Sequence, residues 1–247
     1  MKDYNEFWEI MKGPPSKHPS VRFRNYLIVR AVRRILHPLK SNSILDVGCG
    51  NGDLLRELNG RLCLDGTQVA LSGYDISEYQ IKKNRLQGLP FDFRVADFNG
   101  RVDTTNKFDI VICSEVIEHL KNWESSLENM ADMNKPGGYL ILTTQSGKRF
   151  KSDIALGHLQ HFRLDSLINY LIRLKYKIIL GEKRGFPFYN LQKSLFSVFF
   201  SASTKIAHSE ISMATAILFS ITYFLFHLSI KSKSLGPQIF ILAHKMG

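Results

Sequence analysis

Cysteine is scarce in this 247-residue sequence, which contains only Cys49, Cys63 and Cys113. The three form no CxxC pair and no even framework for disulfides, so a reducing compartment is expected. No apolar segment of the signal-peptide type occurs in the first residues, MKDYNEFWEIMKGPP. These absences favour a cytoplasmic protein.

Acidic residues are also in deficit, because 22 Asp and Glu stand against 33 Lys and Arg and give a formal net charge of +11. Residues 1–40 alone hold nine basic and three acidic residues. Such a surface could meet nucleic acid, an anionic membrane surface or an anionic substrate. It could equally be the solvated face of an amphipathic helix over residues 20–36, where five arginines mix with aliphatic residues: Arg22, Arg24, Arg30, Arg33 and Arg34.

Strands and helices alternate along most of the chain. Apolar runs predict strands at residues 44–47, 69–76, 91–98, 108–114, 139–144, 177–181 and 238–244. Helical patterns lie between them, at residues 53–58, 77–86, 115–120, 125–133 and 164–175. This alternation predicts an α/β fold with an open, mostly parallel sheet and helices on both faces, whose ligands bind beyond the carboxyl ends of the strands.

The pattern divides the chain into four segments. Residues 1–40 are expected to form an N-terminal helical cap, in which Tyr4, Phe7, Trp8 and His18 cover the site. The core follows at residues 41–185, then an apolar helical insertion at residues 186–235 and a closing strand of the core at residues 236–247.

The insertion contains an uncharged segment, SMATAILFSITYFLFHLSI, at residues 212–230. A helix of this length would measure about 28 Å, close to the roughly 30 Å of a bilayer core. A single crossing is implausible, because the strands on either side belong to one sheet. The segment before it, residues 186–203, is interrupted by Lys193, which favours shallow insertion. We expect a helical lid or homodimer face that also docks on an anionic membrane, in preference to a purely soluble lid or a spanning hairpin.

The segment ILDVGCGNGDLL, residues 44–55, places Gly48, Gly50 and Gly52 directly after the first strand. Glycines there allow a sharp turn from strand to helix, and they let a ligand approach the backbone closely. The segment therefore predicts a nucleotide-type cofactor site.

Two acidic residues end the next two strands of the predicted sheet. Asp75 ends the second strand, where a carboxylate can bind a ribose diol. Asp97 ends the third strand, where it can accept from the amino group of adenine while Phe98 flanks the ring. Either acid alone is an ordinary turn residue, but both in register with the glycine loop favour a cofactor that contains adenosine.

With these features the sequence resembles the class I S-adenosylmethionine-dependent methyltransferases. Residues 44–52 are similar to the first motif of that family, and FDIVICSEVIEHL (108–120) and NKPGGYLILTTQ (134–145) are similar to later ones. The resemblance extends over roughly residues 40–185 and 237–245. It implies a Rossmann-like, seven-stranded sheet whose last strand is antiparallel, and S-adenosylmethionine as the cofactor.

The resemblance also implies a set of cofactor contacts. Asp46 and the loop backbone would hold the amino-acid end, Asp75 the ribose and Asp97 the adenine. The full expected set is Asp46, Gly48, Cys49, Gly50, Asn51, Asp75, Ile76, Asp97, Phe98 and Ser114.

Methyl transfer depends mostly on positioning, on exclusion of water and, for a hydroxyl acceptor, on removal of a proton. No universal catalytic residue can therefore be carried over from the family. The expected catalytic residues are Glu115, His119 and His161, since a histidine titrates near neutral pH. An [DNS]-PP-[YFW] turn, used on amino groups of bases and glutamine, is missing after the fourth strand, so an oxygen acceptor is favoured.

A metal site is the weaker interpretation of the same residues. Glu115, Glu118 and His119 form an E-x-x-E-H pattern, and His158 follows the fifth strand, so these four could hold a divalent ion that acidifies a hydroxyl. Similar sites occur in O-methyltransferases that act on ubiquinone-precursor phenols and on RNA 3′ ends. The pattern is also frequent as a packed helix start across the superfamily, so a metal is not favoured.

We therefore expect a methyltransferase that acts on an oxygen of a small or lipid-linked acceptor and lies peripherally on the inner face of a membrane. One alternative is a metal-assisted RNA methyltransferase, although no RNA-binding module is recognisable and nucleic acid is disfavoured. The other is a non-catalytic membrane adaptor on the same fold. A nicotinamide dehydrogenase is more distant, because GCGNG departs from GxGxxG at the third glycine.

Overall fold

A computed structural model describes residues 4–5, 17–36, 42–64, 66–102, 105–198 and 213–247. The expected cap residues Phe7 and Trp8, and residues 199–212 of the insertion, lie outside these ranges.

The strands and helices follow the predicted alternation. The strands are β1 (Asn42–Val47), β2 (Val69–Asp75), β3 (Asp92–Val95), β4 (Phe108–Ser114), β5 (Asn134–Gln145), β6 (Tyr176–Phe186), β7 (Ile230–Ser232) and β8 (Gln238–Lys245). The α-helices are α1 (Pro19–Ile35), α2 (Asp53–Leu64), α3 (Glu78–Arg85), α4 (Trp123–Met133), α5 (Lys151–Ala155), α6 (Leu164–Arg173), α7 (Phe188–Val198) and α8 (Met213–His227).

In the described ranges these eight strands form one sheet, in the order β3-β2-β1-β4-β5-β8-β6-β7. β1 pairs in parallel with β2 and β4, and β8 pairs antiparallel with β5 and β6. The predicted α/β class, with an antiparallel closing strand, is confirmed. The strand order reverses between β1 and β4, so the switch point where such sheets bind ligands lies at the carboxyl ends of these two strands.

The eighth strand was not expected. β7 falls in the insertion, which was predicted to be helical, and pairs Ile230 with Phe186 and Ser232 with Lys183. β6 is longer than predicted and runs to Phe186, so its outer edge would otherwise carry unpaired backbone groups. The short β7 pairs part of that edge.

Helices cover the sheet on both faces. Neighbouring residues of β1 point to opposite faces, and Ile44 and Leu45 are both 0% exposed. Leu45 belongs to the core under α4 and α6, whereas Ile44 belongs to the core under α1 and α2. Burial on both faces explains why the central strands read as continuous apolar runs.

Two local predictions were wrong. α2 continues past Asn59-Gly60 to Leu64, because Leu58 and Leu62 are buried one turn apart and hold both turns against the core. The predicted helix at residues 115–120 is only a 3-10 turn, Ile117–His119, because Glu115 adopts φ of 58°.

Helix α8 packs in parallel with α1. Phe226 is fully buried, and its ring centroid lies 5.8 Å from that of Phe23. His18, which was expected over the site, instead contacts Phe219 with ring centroids 5.4 Å apart. In the part of the chain that the structure describes, no helix has both the length and the apolar character needed to cross a membrane.

Candidate active site

The glycine loop joins β1 to α2 at the switch point of the sheet. Gly48, Gly50 and Gly52 have φ of 71°, 50° and 76°, in the left-handed region that favours glycine. At Gly48 a Cβ atom would also lie 2.4 Å from Cγ2 of Val116, just after β4. Position 48 therefore requires glycine on both conformational and steric grounds.

Asp75 holds this loop from the end of β2. Its Oδ2 accepts a hydrogen bond of 2.8 Å from the amide of Gly50, and its Oδ1 accepts one of 2.9 Å from the amide of Ser77. Burial raises the pKa of Asp75, against the lowering effect of these amides. An ionised carboxylate offers about four lone-pair positions, so both oxygens keep acceptor capacity for a ribose diol.

Two side chains of the loop are used inside the protein. Cys49 is buried, and its Sγ lies 2.9 Å from where a Cβ on Gly73 would stand. Asn51 donates to Asp53 at 2.8 Å and accepts from the amide of Asp53 at 3.2 Å, at the start of α2. The expectation of cofactor contact at Cys49 and Asn51 is therefore restricted to their backbone.

Of the two residues expected to contact adenine, Asp97 is accessible and Phe98 is not. Asp97 is exposed, and its Oδ1 accepts from the amide of Asn99 at 2.9 Å. Phe98 is 4% exposed and packs in the core, so its ring offers no open face and the expectation that it flanks adenine is corrected. Ile76 and Ser114 are partly exposed at the carboxyl ends of β2 and β4.

Asp46 is a buried acid at the end of β1. Burial, with the charge of Asp75, raises the pKa of Asp46 to about 8. The positive charge of Arg24 on α1 acts in the opposite direction and lowers the pKa of Asp46. The Nε of Arg24 is buried without a hydrogen-bond partner among the described residues. An arginine with an unused N–H donor and a buried acid together suit a ligand that carries one negative and one positive group.

Sequence reasoning missed Arg24, because it was grouped with the exposed arginines of α1. A signal was present: Arg24 precedes Leu27, Ile28 and Ala31 by three, four and seven residues, and these three are buried. By helical spacing it therefore lies on the buried face of α1. A single cation on an apolar face indicates a buried partner or a ligand.

Glu115 ends β4 in a left-handed conformation, which costs a non-glycine residue about 1–2 kcal/mol. Its carboxylate accepts hydrogen bonds from the side chains of Gln145 and Gln238, the latter at 2.7 Å. Burial alone would raise the pKa of Glu115, but the charge of Arg24 and these bonds outweigh it and lower the pKa. Both oxygens are engaged by side chains of β5 and β8, so Glu115 braces the site, and its catalytic role stays a prediction.

Three of the four candidate metal ligands come together, without Glu115. Ligand atoms of Glu118, His119 and His158 lie within 4.8 Å of one another. Burial and the charge of Glu115 raise the pKa of Glu118 well above its usual range. The Thr144 hydroxyl donates to Oε2 of Glu118 at 2.8 Å, and the carboxyl group of Glu118 also lies within hydrogen-bonding reach of that of Glu115.

The three candidate histidines form a row. The ring of His158 lies 4.8 Å from that of His119 and 5.4 Å from that of His161. His161 Nδ1 lies 3.2 Å from the carbonyl oxygen of Gly147, and His161 Nε2 lies 3.1 Å from Nδ1 of His158. A carbonyl only accepts, so a neutral His161 donates from Nδ1 and accepts at Nε2. His158 must then donate from Nδ1 and keep its lone pair on Nε2.

A buried ion pair stands behind His161. Lys193 Nζ lies 3.1 Å from Oδ1 of Asp153, whose Oδ2 is 3.7 Å from His161 Nε2. Lys193 also donates to Oε1 of Gln145 at 2.9 Å. Lys193, which was taken as a sign of shallow membrane insertion, therefore points into the protein and ties α7 to the site.

The described N-terminal residues lie over the same end of the sheet. Oδ1 of Asn5 accepts from the hydroxyl of Ser77 at 2.9 Å, and the ring of Tyr4 meets that of His119 edge-on at 6.1 Å. Residues 4–5 thus bridge the predicted ribose end and the histidine row.

Comparison with known proteins gives matches to both sequence and fold. A family described as "Methyltransferase domain" matches residues 20–189. The ubiquinone biosynthesis O-methyltransferase of Chelativorans sp. (strain BNC1) is 36% identical over 115 residues, which cover 45% of this chain and 43% of that protein. The enzyme of the same name from Azoarcus sp. (strain BH72) is 35% identical over 119 residues, covering 46% and 48%. The chain thus spans about half the length of these curated relatives.

The fold has a solved counterpart in N-methyltransferase NodS from Bradyrhizobium japonicum WM9, whose structure is a complex with S-adenosyl-L-homocysteine. The two chains align over 99% of each with a TM-score of 0.60, at 13% sequence identity. At that identity the likeness concerns the fold alone.

Proposed function

This chain belongs to the class I S-adenosylmethionine-dependent methyltransferase family, and from that membership we propose that it methylates an oxygen of a small or lipid-linked acceptor. The observation that carries the proposal is the row of His119, His158 and His161 at the edge of the sheet that holds the glycine loop. Transfer to a hydroxyl needs a proton acceptor at this place, whereas binding of the cofactor does not. The names of the two curated relatives support oxygen as the acceptor atom.

Four residues are suited to S-adenosylmethionine, which supplies a methyl group from its sulfonium when it is bound. Arg24 is suited to the carboxylate of its amino-acid end and Asp46 to the ammonium. Asp75 is suited to the ribose diol and Asp97 to the adenine amino group. The buried, unpartnered Nε of Arg24 is the feature of this structure that fits such a ligand most specifically.

We assign the proton acceptor to Nε2 of His158. The hydrogen-bond directions leave its lone pair on that atom. Burial, with the neighbouring His119, lowers the pKa of His158 to about 3, whereas Glu115 and Asp153 raise it, so the ring is neutral at neutral pH and is a weak base unless the bound acceptor stabilises its protonated form. Nε2 of His158 would take the proton of the acceptor hydroxyl as that oxygen is methylated. His161 fixes the tautomer of His158 and is a positioning residue rather than the base that the sequence suggested.

A divalent metal is a second possibility for the same atoms. Glu118, His119 and His158 fit a hard or borderline cation, since one carboxylate and two imidazoles offer ligand atoms within 4.8 Å of one another. Such an ion would acidify the acceptor hydroxyl. Burial and the charge of Glu115 raise the pKa of Glu118 when no ion is bound, whereas a bound cation would stabilise its carboxylate. Calorimetric titration with Mg²⁺, Mn²⁺ and Zn²⁺ separates the two.

The test uses methyl-labelled S-adenosylmethionine with a prenylated catechol and with the same catechol lacking the prenyl chain. Wild type should label oxygen, and His158→Gln should lower turnover by roughly 10²- to 10⁴-fold while S-adenosylhomocysteine still binds. His244→Gln, on β8, is the matched histidine control and should retain turnover. Equal turnover by the His158 variant would refute the assignment of the base.

A further inference from the structure

Helix α8 carries an apolar surface on the side that faces away from the protein. Phe226 and Phe219 point towards α1, whereas Met213, Ile217, Ile221, Phe224 and Leu228 follow one another at helical spacing on the opposite side. These last five are 82%, 56%, 53%, 63% and 57% exposed. We call them the α8 stripe.

Helix α7, next to the candidate site, also carries exposed apolar side chains. Its Tyr189 stacks on Phe226 with ring centroids 5.1 Å apart, and its Lys193 is buried against Gln145. Leu191 and Leu195 of the same helix are 59% and 51% exposed. Exposed apolar side chains therefore lie on the helix that Lys193 ties to the site, as well as on α8. Exposed apolar patches of this kind mark interaction surfaces.

The border of the stripe is basic. The guanidinium of Arg22 lies 4.2 Å from the ring centroid of Tyr223. Burial and the charge of Glu57 raise the pKa of this tyrosine, whereas the charges of Arg22 and Arg61 lower it. α1 and α8 run in parallel, and α8 ends at His227, beside Tyr26 of α1. The α1 turns beyond this point are not covered by α8 and carry exposed arginines on the same side: Arg30, Arg33 and Arg34.

The chain that follows α8 adds to the same charge. Lys231 and Lys233 are exposed immediately after the helix. The helix itself contains no acidic residue. Apolar side chains bordered by cations fit the headgroup region of an anionic bilayer, where the apolar groups enter the acyl boundary and the cations meet phosphate.

We propose that the α8 stripe and the arginines at the end of α1 dock this protein on an anionic membrane surface. The stripe lies flat in the interface, since no helix in the described ranges is long and apolar enough to cross. Docking in this way brings the candidate site beside the bilayer, where a lipid-linked acceptor resides. The docking itself does not depend on methyl transfer.

Vesicle flotation tests the proposal with the full chain. Vesicles of phosphatidylcholine mixed equally with phosphatidylglycerol should carry wild type, and vesicles of phosphatidylcholine alone should carry much less. Ile221→Ser/Phe224→Ser should reduce binding by about tenfold or more. The matched control is Leu86→Ser/Ile172→Ser, two residues that are 79% and 53% exposed elsewhere, and it should bind as wild type does.

A charge-reversed pair tests the basic border. Arg30→Glu/Arg34→Glu should weaken binding to the anionic vesicles, whereas Lys82→Glu/Lys83→Glu, on α3, changes the net charge equally and should have little effect. Binding of S-adenosylhomocysteine by every variant shows that it is folded and separates this test from that of the proposed function.

Three outcomes would overturn the proposal. The first is equal vesicle binding by the stripe variant and its control. The second is that wild type is a dimer, that the stripe variant is a monomer, and that wild type does not bind vesicles. The stripe would then be a contact between two copies of the chain. The third is binding to RNA oligonucleotides in the absence of any binding to vesicles.

Discussion

The carboxylate of Asp75 accepts a hydrogen bond of 2.8 Å from the amide of Gly50, so the end of β2 holds the centre of the glycine loop. The side chain of Asn84 holds the other side of this residue, because it donates to the carbonyl of Gly50 at 2.7 Å. The loop is therefore fixed on both sides before any ligand arrives. A preformed loop of this kind loses less conformational entropy on binding than a mobile one.

Arg24 should bind the amino-acid end of the cofactor. Arg24→Met is expected to weaken S-adenosylhomocysteine roughly 10- to 100-fold, because a charged hydrogen bond contributes about 1.5–3 kcal/mol. Binding of 5′-methylthioadenosine, which lacks the amino-acid end, should not change. Calorimetry measures both ligands, and Arg22→Met on the exposed side of α1 is the control. An equal loss for both ligands would contradict the assignment.

Asp46 should make binding depend on pH. Its pKa of about 8 means that the free protein holds the carboxyl group neutral at pH 7, whereas an ammonium ligand requires the carboxylate. Each pH unit below the pKa should therefore weaken S-adenosylhomocysteine about tenfold, with about one proton released on binding. Calorimetry at pH 6 to 7.5 in buffers of different ionisation enthalpy measures this release. Asp46→Asn should bind S-adenosylhomocysteine weakly, and its affinity should not change with pH. If the affinity of wild type does not change with pH, Asp46 does not bind the ammonium group.

Gly48 should tolerate alanine less well than Gly137. Both have positive φ, so either change introduces backbone strain of about 1–2 kcal/mol. Only at Gly48 would the new Cβ also meet Val116, since Gly137 has no neighbour within 4 Å. Urea unfolding should show the larger loss for Gly48→Ala, and adding Val116→Ala should recover part of the difference. No recovery in the double variant would argue against this contact.

Lys193 should stabilise the fold through Asp153. Lys193→Met leaves a buried carboxylate without its cation, which costs about 3–5 kcal/mol. It also removes a charge that lowers the pKa of His161, while Asp153 continues to raise it. Because burial and Lys193 lower the His161 pKa in wild type, protonation of the unfolded chain costs stability as pH falls through the unfolded value, and this cost is smaller in the variant, which lacks the Lys193 charge. The difference in the free energy of unfolding between wild type and Lys193→Met should therefore shrink as pH falls from 8 to 5.5. Urea unfolding measures this difference. The control Lys151→Met should have the wild-type free energy of unfolding at every pH.

Features with a local cause could be predicted from the sequence. The apolar run at residues 108–114 reflects the burial of a central strand on both faces. Gly48 reflects a left-handed backbone conformation that favours glycine. Asp75 follows its strand directly, so its place at the carboxyl edge of the sheet comes with the parallel topology. These features need no knowledge of which distant residues meet.

The features that were missed depend on distant contacts. The sequence places Arg24 on α1, but only the packing of α1 against the sheet turns it towards Asp46. Glu115 gives no sign that Gln145 and Gln238 from two other strands will engage its carboxylate. Lys193 interrupts an apolar segment, and the partner that makes this favourable, Asp153, is forty residues earlier. β7 likewise depends on a distant contact, because it pairs with the part of β6 that extends beyond the predicted end of that strand.

Calorimetric titration with S-adenosylhomocysteine, beside Asp75→Asn, tests the central claim most directly. Wild type and Asp165→Asn, an exposed acid on α6, should bind in the micromolar range, and Asp75→Asn should lose about 1.5–3 kcal/mol or more of binding free energy. Thermal unfolding of each variant serves as the check on folding. Absence of binding by the folded wild type would contradict the account that the loop at residues 48–52 holds this cofactor.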